Sequence, residues 1–182
     1  MNRAILLALV ALVAAIPLPA DARAPRRSEM LSVWGVLDAG PVSGVGLGGR
    51  LMLPLVPQGL LHHPRIKDEL TLELGADFVH YSDRVAYPGY PGVDYSWNGF
   101  LPVVGATWNF WLTPELALYP KVDVGYWLGW YSGWNDPYGY GHPGWGGTFL
   151  QGALGVIYRL PAVSLRLELG SGLLRVGAGF PF

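Results

Sequence analysis

From residue 31 onward, apolar and polar positions alternate with a period of two, in stretches separated by Gly, Pro, Asn and Asp. That period is the signature of strands with two unlike faces, and turn residues mark where each strand ends. The pattern predicts strands over 31–38, 44–55, 69–81, 99–112, 115–131, 147–160, 163–170 and 173–182. In the second, Val45, Leu47, Leu51, Leu53 and Leu55 share one face, and Gly46, Gly48, Arg50 and Met52 the other. The third sets Leu70, Leu72, Leu74, Ala76 and Phe78 against Thr71, Glu73, Gly75 and Asp77. The fifth opposes Leu116, Leu118, Val122, Val124, Tyr126 and Leu128 to Tyr119, Lys121, Asp123 and Gly125. The last two strands repeat the scheme, with Leu165, Leu167, Leu169, Leu174, Val176, Ala178 and Phe180 on the apolar side.

The charges follow this division. Arg50, Glu73, Asp77, Lys121, Asp123, Arg159, Arg166, Glu168 and Arg175 all fall on the small and polar face. The other face is nearly pure Leu, Val, Ala and aromatic. A soluble sandwich or lipocalin-like barrel turns its polar face to water and charges it densely. Here the polar face is sparse, rich in glycine and of mixed sign, which suits a narrow interior where buried charges must neutralise one another. The expected architecture is therefore all-β: an eight-stranded antiparallel up-and-down transmembrane β-barrel with its leucines toward lipid. Pairing Leu169 with Leu174 across Ser171 and Gly172 would set Glu168 directly opposite Arg175.

Connections and aromatics point the same way. Thr113-Pro114 and Pro161-Ala162 read as tight turns, while 82–98 and 132–146 are long and rich in Gly, Pro, Tyr and Trp. Membrane barrels commonly have short turns at one rim and long loops at the other. The 56–68 connection is long for the short-turn side. Phe78, Tyr81, Trp97, Tyr126, Trp130 and Tyr131 lie toward the long-loop rim, and Trp108, Phe110, Tyr158, Phe180 and Phe182 toward the other. Two such sets predict aromatic belts at two water–lipid boundaries.

The N-terminus reads as an address. Met1-Asn2-Arg3 precedes an apolar run from Ala4 to Ile16, a break at Pro17 and Pro19, and the small-x-small step Ala20-Asp21-Ala22. This is the order of a secretory signal peptide, too short to span a bilayer. Cleavage is expected after Ala22, with Ala24 as the alternative, giving a signal peptide over 1–22 and a barrel domain over 23–182. Composition narrows the function classes. Charged residues make up 14% of the 182 positions, against roughly 25% in soluble domains, and mean hydropathy is +0.29. A formal net charge of −1 lacks the basic field of a nucleic-acid binder. The absence of cysteine removes disulfides, thiol chemistry and an N-terminal lipid-bearing cysteine.

On this alternation, and on the ending Val176-Gly177-Ala178-Gly179-Phe180-Pro181-Phe182, the chain resembles the small eight-stranded outer-membrane barrels of Gram-negative bacteria, the OmpA/OmpX-like group. The resemblance is architectural and covers the whole mature chain. It implies an outer-membrane location, contact with outer-membrane lipid and lipopolysaccharide, and a C-terminal strand read by the barrel-assembly machinery through Phe180 and Phe182. Pro181 departs from the pattern because it cannot donate to the ladder. A structural, adhesion or surface-binding role through loops 82–98 and 131–146 is expected, with an extracellular ligand as possible partner.

Candidate chemistry is sparse. Gly44, Gly46 and Gly49 spell a literal G-x-G-x-x-G, but a strand rather than a helix follows, so nucleotide binding is not expected. His80 and Ser82 share a strand face and resemble the His-x-Ser element of outer-membrane lipid A deacylases, which makes a lipid A-modifying hydrolase the enzymatic alternative. An orienting carboxylate on that face is missing. The adjacent His62 and His63 point opposite ways on a strand and lack a third ligand, so neither metal nor cofactor is expected. Eight strands enclose only side chains, which excludes a wide pore. The remaining alternative is a secreted soluble barrel whose leucine-rich face lines an apolar cavity.

Overall fold

The computed structural model describes residues 30–38, 44–61, 67–85, 93–131, 144–171 and 173–182. Eight strands follow one another: β1 (Met30–Asp38), β2 (Gly44–Val56), β3 (Lys67–Val85), β4 (Val93–Trp111), β5 (Leu116–Tyr131), β6 (Trp145–Arg159), β7 (Ser164–Gly170) and β8 (Leu173–Pro181). Each pairs antiparallel with the next, and β8 closes on β1, so the architecture is a closed up-and-down β-barrel. Closure leaves no edge along the shared height of the strands, and it fixes an inside and an outside for every alternating residue.

The leucine-rich face is the outside. Leu47, Leu150 and Leu154 are 72%, 74% and 68% exposed, while Arg50, Glu73, Asp123, Glu168 and Arg175 are fully or almost fully buried in the lumen. A leucine-lined cavity is thereby overturned, because the polar face curls inward. Glu168 stands directly opposite Arg175 in the β7–β8 ladder.

Two expectations about the strands need correction. β3 and β4 run on to Val85 and back from Val93, so much of the stretch 82–98 is paired strand, with Ser82 opposite Ser96 and Tyr81 opposite Trp97. Sequence reading looked for an outward apolar face, and there the outward positions turn polar. The interior, expected to be small and polar, is layered instead. Met30, Met52, Trp111, Ala117, Tyr119 and Ile157 pack together inside the short-turn end. Trp34, Val36, Val79, Tyr81 and Leu101, backed by Trp97, Trp127, Phe149 and Leu173, fill the other end. Eight charges, Arg50, Glu73, Asp77, Lys121, Asp123, Arg166, Glu168 and Arg175, occupy the layer between.

Short turns close one rim. Between β4 and β5 the Thr113 hydroxyl accepts from the amides of Glu115 (3.1 Å) and Leu116 (3.0 Å), and between β6 and β7 the Leu160 amide donates to the Val163 carbonyl at 2.7 Å. The β2–β3 connection is longer and behaves differently. β2 carries a register shift between Pro54 and Val56, after which the chain turns at Gly59, whose φ of 77° lies where other residues are strained.

Candidate functional site

The central lumen holds one connected ionic network. Arg50 on β2 pairs with Asp77 on β3 at 2.7 Å, and Asp77 accepts again from Arg175 on β8 at 2.9 Å. Arg175 reaches Glu168 on β7 at 2.5 Å, and Glu168 meets Lys121 on β5 at 3.2 Å. Lys121 also contacts Glu73 at 2.7 Å and Asp123 at 3.2 Å, and Glu73 pairs with Arg166 at 2.7 Å. Four cations thus meet four carboxylates (Arg50, Lys121, Arg166, Arg175 with Glu73, Asp77, Asp123, Glu168), so the belt is neutral overall. Neutrality with multiple partners is what lets such charges persist away from water.

Neutral groups complete the belt. Arg166 donates to the Ser32 hydroxyl (2.9 Å) and the Tyr119 hydroxyl (3.2 Å), and Arg175 donates to the Gln151 carbonyl oxygen at 3.4 Å. The Trp34 ring lies under three cations, with Arg166, Lys121 and Arg50 at 4.6, 5.3 and 5.4 Å from its centroid. Glycine serves close packing here: a β-carbon on Gly105 would collide with the Asp123 carboxylate.

Of the nine charges placed in the lumen from sequence, Arg159 stands apart. It faces inward at the short-turn end, stacks on the Trp111 ring at 4.7 Å and senses the charge of Glu69. Distance along β6 separates it from the belt. Sequence reading passed over Glu69, although its even spacing from Glu73 and Asp77 puts it on the same face. Trp34 and Gln151 were equally unread as lumen partners, and Tyr119, placed on the polar face, had no partner assigned, because these roles depend on neighbours from across the barrel.

On the outer wall, Phe78, Phe100, Tyr126 and Trp130 are exposed toward the long-connection rim, with the Phe78 and Trp130 rings 6.1 Å apart. Tyr158, Phe180 and Phe182 are exposed near the other rim, where Trp108 and Phe110 lie 4.7 Å apart. Tyr81 and Trp97, assigned to the outer belt from sequence, belong inside instead. Tyr81 is buried, donates to Asp38 at 2.7 Å and stacks on Trp97 with centroids 5.2 Å apart. Their strand parity, odd rather than even, carries them to the lumen. Phe180 pairs opposite Leu31, and Pro181 takes the last rung opposite Met30, at the strand end, where a missing donor costs least.

His80 and Ser82 stand on the outer face beyond Phe78, both exposed. The His80 ring hydrogen-bonds with the Asn98 side-chain oxygen at 2.9 Å, from its cross-strand partner position. An amide holds the imidazole where a hydrolase would place a carboxylate. His62 and His63 lie outside the described residues, as do positions 132–143. Among the described residues no cluster has the donors for a metal.

A last polar site lies outside the barrel at the short-turn rim. The Asp68 carboxylate accepts from the Trp108 indole (2.8 Å) and from the amides of Leu60 (2.7 Å) and Leu61 (3.1 Å).

No protein-family model matches the chain, and neither does any curated protein. Three solved structures have a similar overall shape. A de novo designed transmembrane β-barrel is 16% identical over 89% of this chain and 100% of its own, with a TM-score of 0.42. Ail, the attachment invasion locus protein of Yersinia pestis, is 12% identical over 84% of this chain and 95% of its own, with a TM-score of 0.47. Ail in complex with the heparin analogue sucrose octasulfate gives 14%, 84%, 96% and 0.44 for the same measures.

Proposed function

We propose that this chain is exported through a leader cleaved after Ala22, sits in the outer membrane of a Gram-negative bacterium as an integral barrel, and uses its long-connection end to bind an extracellular molecule or surface. The observation that carries this reading is the outer wall. Among the described residues, no charged side chain stands on the outward face between Asp68 at one rim and His80 at the other, and the leucines and valines there are widely exposed. An apolar girdle edged by aromatic rings is stable in lipid and unstable in water. In this setting Phe180 and Phe182 would carry the signal for the assembly machinery, and lipopolysaccharide would be the lipid against the upper wall.

The lumen argues against transport. Its centre is filled by the ionic belt and both ends by apolar side chains. A surface role is supported by the uneven height of the wall. β3 to β6 project beyond the β7–β8 hairpin, and β6 from Trp145 to Gly152 has no β7 partner in the ladder. The inner side of that projecting sheet carries the half-buried Trp97, Trp127 and Phe149 beside the buried Tyr81, aromatic surface of the kind enriched at interfaces.

The test is electrophoretic mobility of the detergent-extracted protein, unheated and boiled, with carbonate washing of the membranes. Retention in the outer-membrane fraction and a heat-dependent shift are expected. A soluble protein without a shift would overturn the reading.

A further inference from the structure

The β2–β3 connection does not hang away from the barrel. Asp68 lies on the outward-facing parity of β3, with Leu70 and Leu72, and Trp108 on the outward parity of β4. Since the Leu60 and Leu61 amides and the Trp108 indole converge on the Asp68 carboxylate, residues 57–61 fold back along the outside of the wall. Gly59 makes this possible: its amide donates to the Val56 carbonyl at 3.0 Å, and a β-carbon there would collide with Asp68. The Leu60 and Leu61 amides are consumed inward, while their side chains face outward, as does Gln58. Leu55, Leu60 and Leu61 are 53%, 50% and 40% exposed, beside the Trp108–Phe110 pair. A buried carboxylate with three donors is an expensive way to hold a solvent-exposed turn, unless holding it places those leucines somewhere.

We propose that the 57–61 turn is a lipid anchor: clamped on Asp68, it seats Leu60 and Leu61 in the membrane interface at the short-turn rim. The occupant is the lipid surface, because the patch is continuous with the apolar wall above it and with the Trp108 and Phe110 rings. Amphipathic tips with an apolar body settle at such boundaries. The inference rests on the membrane reading above.

The absence of cysteine makes single-site labelling clean. Cysteine would be introduced separately at Leu60, Leu61, Leu150 and Glu115 and carry an environment-sensitive fluorophore in phosphatidylcholine vesicles. Quenching would be read from lipid bearing a nitroxide near the headgroup and from iodide on both sides of the bilayer. Leu150 reports the wall itself, and Glu115 the exposed turn on the same rim. Labels at 60 and 61 should be quenched by lipid and be several-fold less accessible to iodide than the label at 115. Equal iodide access at 60, 61 and 115, with the 150 label still quenched by lipid, would overturn the anchor alone. Loss of lipid quenching at 150 as well would instead sink the membrane reading. Adding Asp68→Ala should raise iodide access at 60 to the level of 115; an unchanged value would overturn the clamp.

Discussion

The wall of this barrel inverts its polarity along its own length. Through its middle, β3 points Leu72, Leu74 and Ala76 outward and Glu73 and Asp77 inward; beyond Phe78 it points His80 and Ser82 outward and Val79 and Tyr81 inward. β4 does the same around Phe100, with Val104 outside and Thr107 inside on one side of it, Asn98 outside and Trp97 inside on the other. On β6, Leu150 and Gln151 give way to Thr148 and Phe149. The β3–β4 ladder runs unbroken across this line. Only the medium outside has to differ. On the membrane reading proposed above, apolar groups face out where lipid surrounds the wall and face in where water does. The inversion is the boundary that reading requires, independent of the aromatic belt that lies on it.

The heaviest test of the middle region is its hub. Lys121 touches Glu73, Asp123 and Glu168, and Lys121→Met would leave three buried carboxylates short of a cation. A loss of about 3–5 kcal/mol is expected, measured by urea unfolding of the barrel in lipid vesicles. A loss near zero would mean that the belt is hydrated and loosely coupled.

Charges on the outside should distinguish the two regions directly. Val104→Arg, on the wall between the belts, should cost about 2–4 kcal/mol, and Asn98→Arg, two residues beyond Phe100, about 0–1 kcal/mol. Equal costs in the same unfolding assay would erase the boundary.

The smallest expected effect is the coupling between Glu168 and Arg175. Each has a second partner, Lys121 and Asp77 respectively, so neither is orphaned when the other is lost. A double-mutant cycle of Glu168→Ala and Arg175→Ala should give a coupling of about 0.5–3 kcal/mol, with the double variant less damaged than the sum of the singles. Strict additivity would break the register assigned to the β7–β8 hairpin.

Much of this was legible from period-two alternation alone. Leu165, Leu167 and Leu169 against Arg166 and Glu168 set both strand and face, and a short hairpin made Glu168 and Arg175 neighbours, since local pairing needs only the turn. Asp68 fell in the expected 56–68 connection because a charge on the apolar parity breaks the alternation; the strand includes it through donors from the connection and another strand. Tyr81 and Trp97 were misplaced because aromatic side chains suit both an interface and a core, and residue type does not say which.

The sequence by itself determined the strands, their two faces and the confinement of charge to one of them, because those follow from nearest neighbours along the chain. That Arg166 meets Glu73 and Arg175 meets Asp77 across the lumen, and that Arg159 stacks on Trp111 apart from the belt, were decided only by tertiary structure. Such partners come from strands far apart in sequence, and their heights match only once β8 has closed on β1 and the stagger of every ladder has been summed around the barrel.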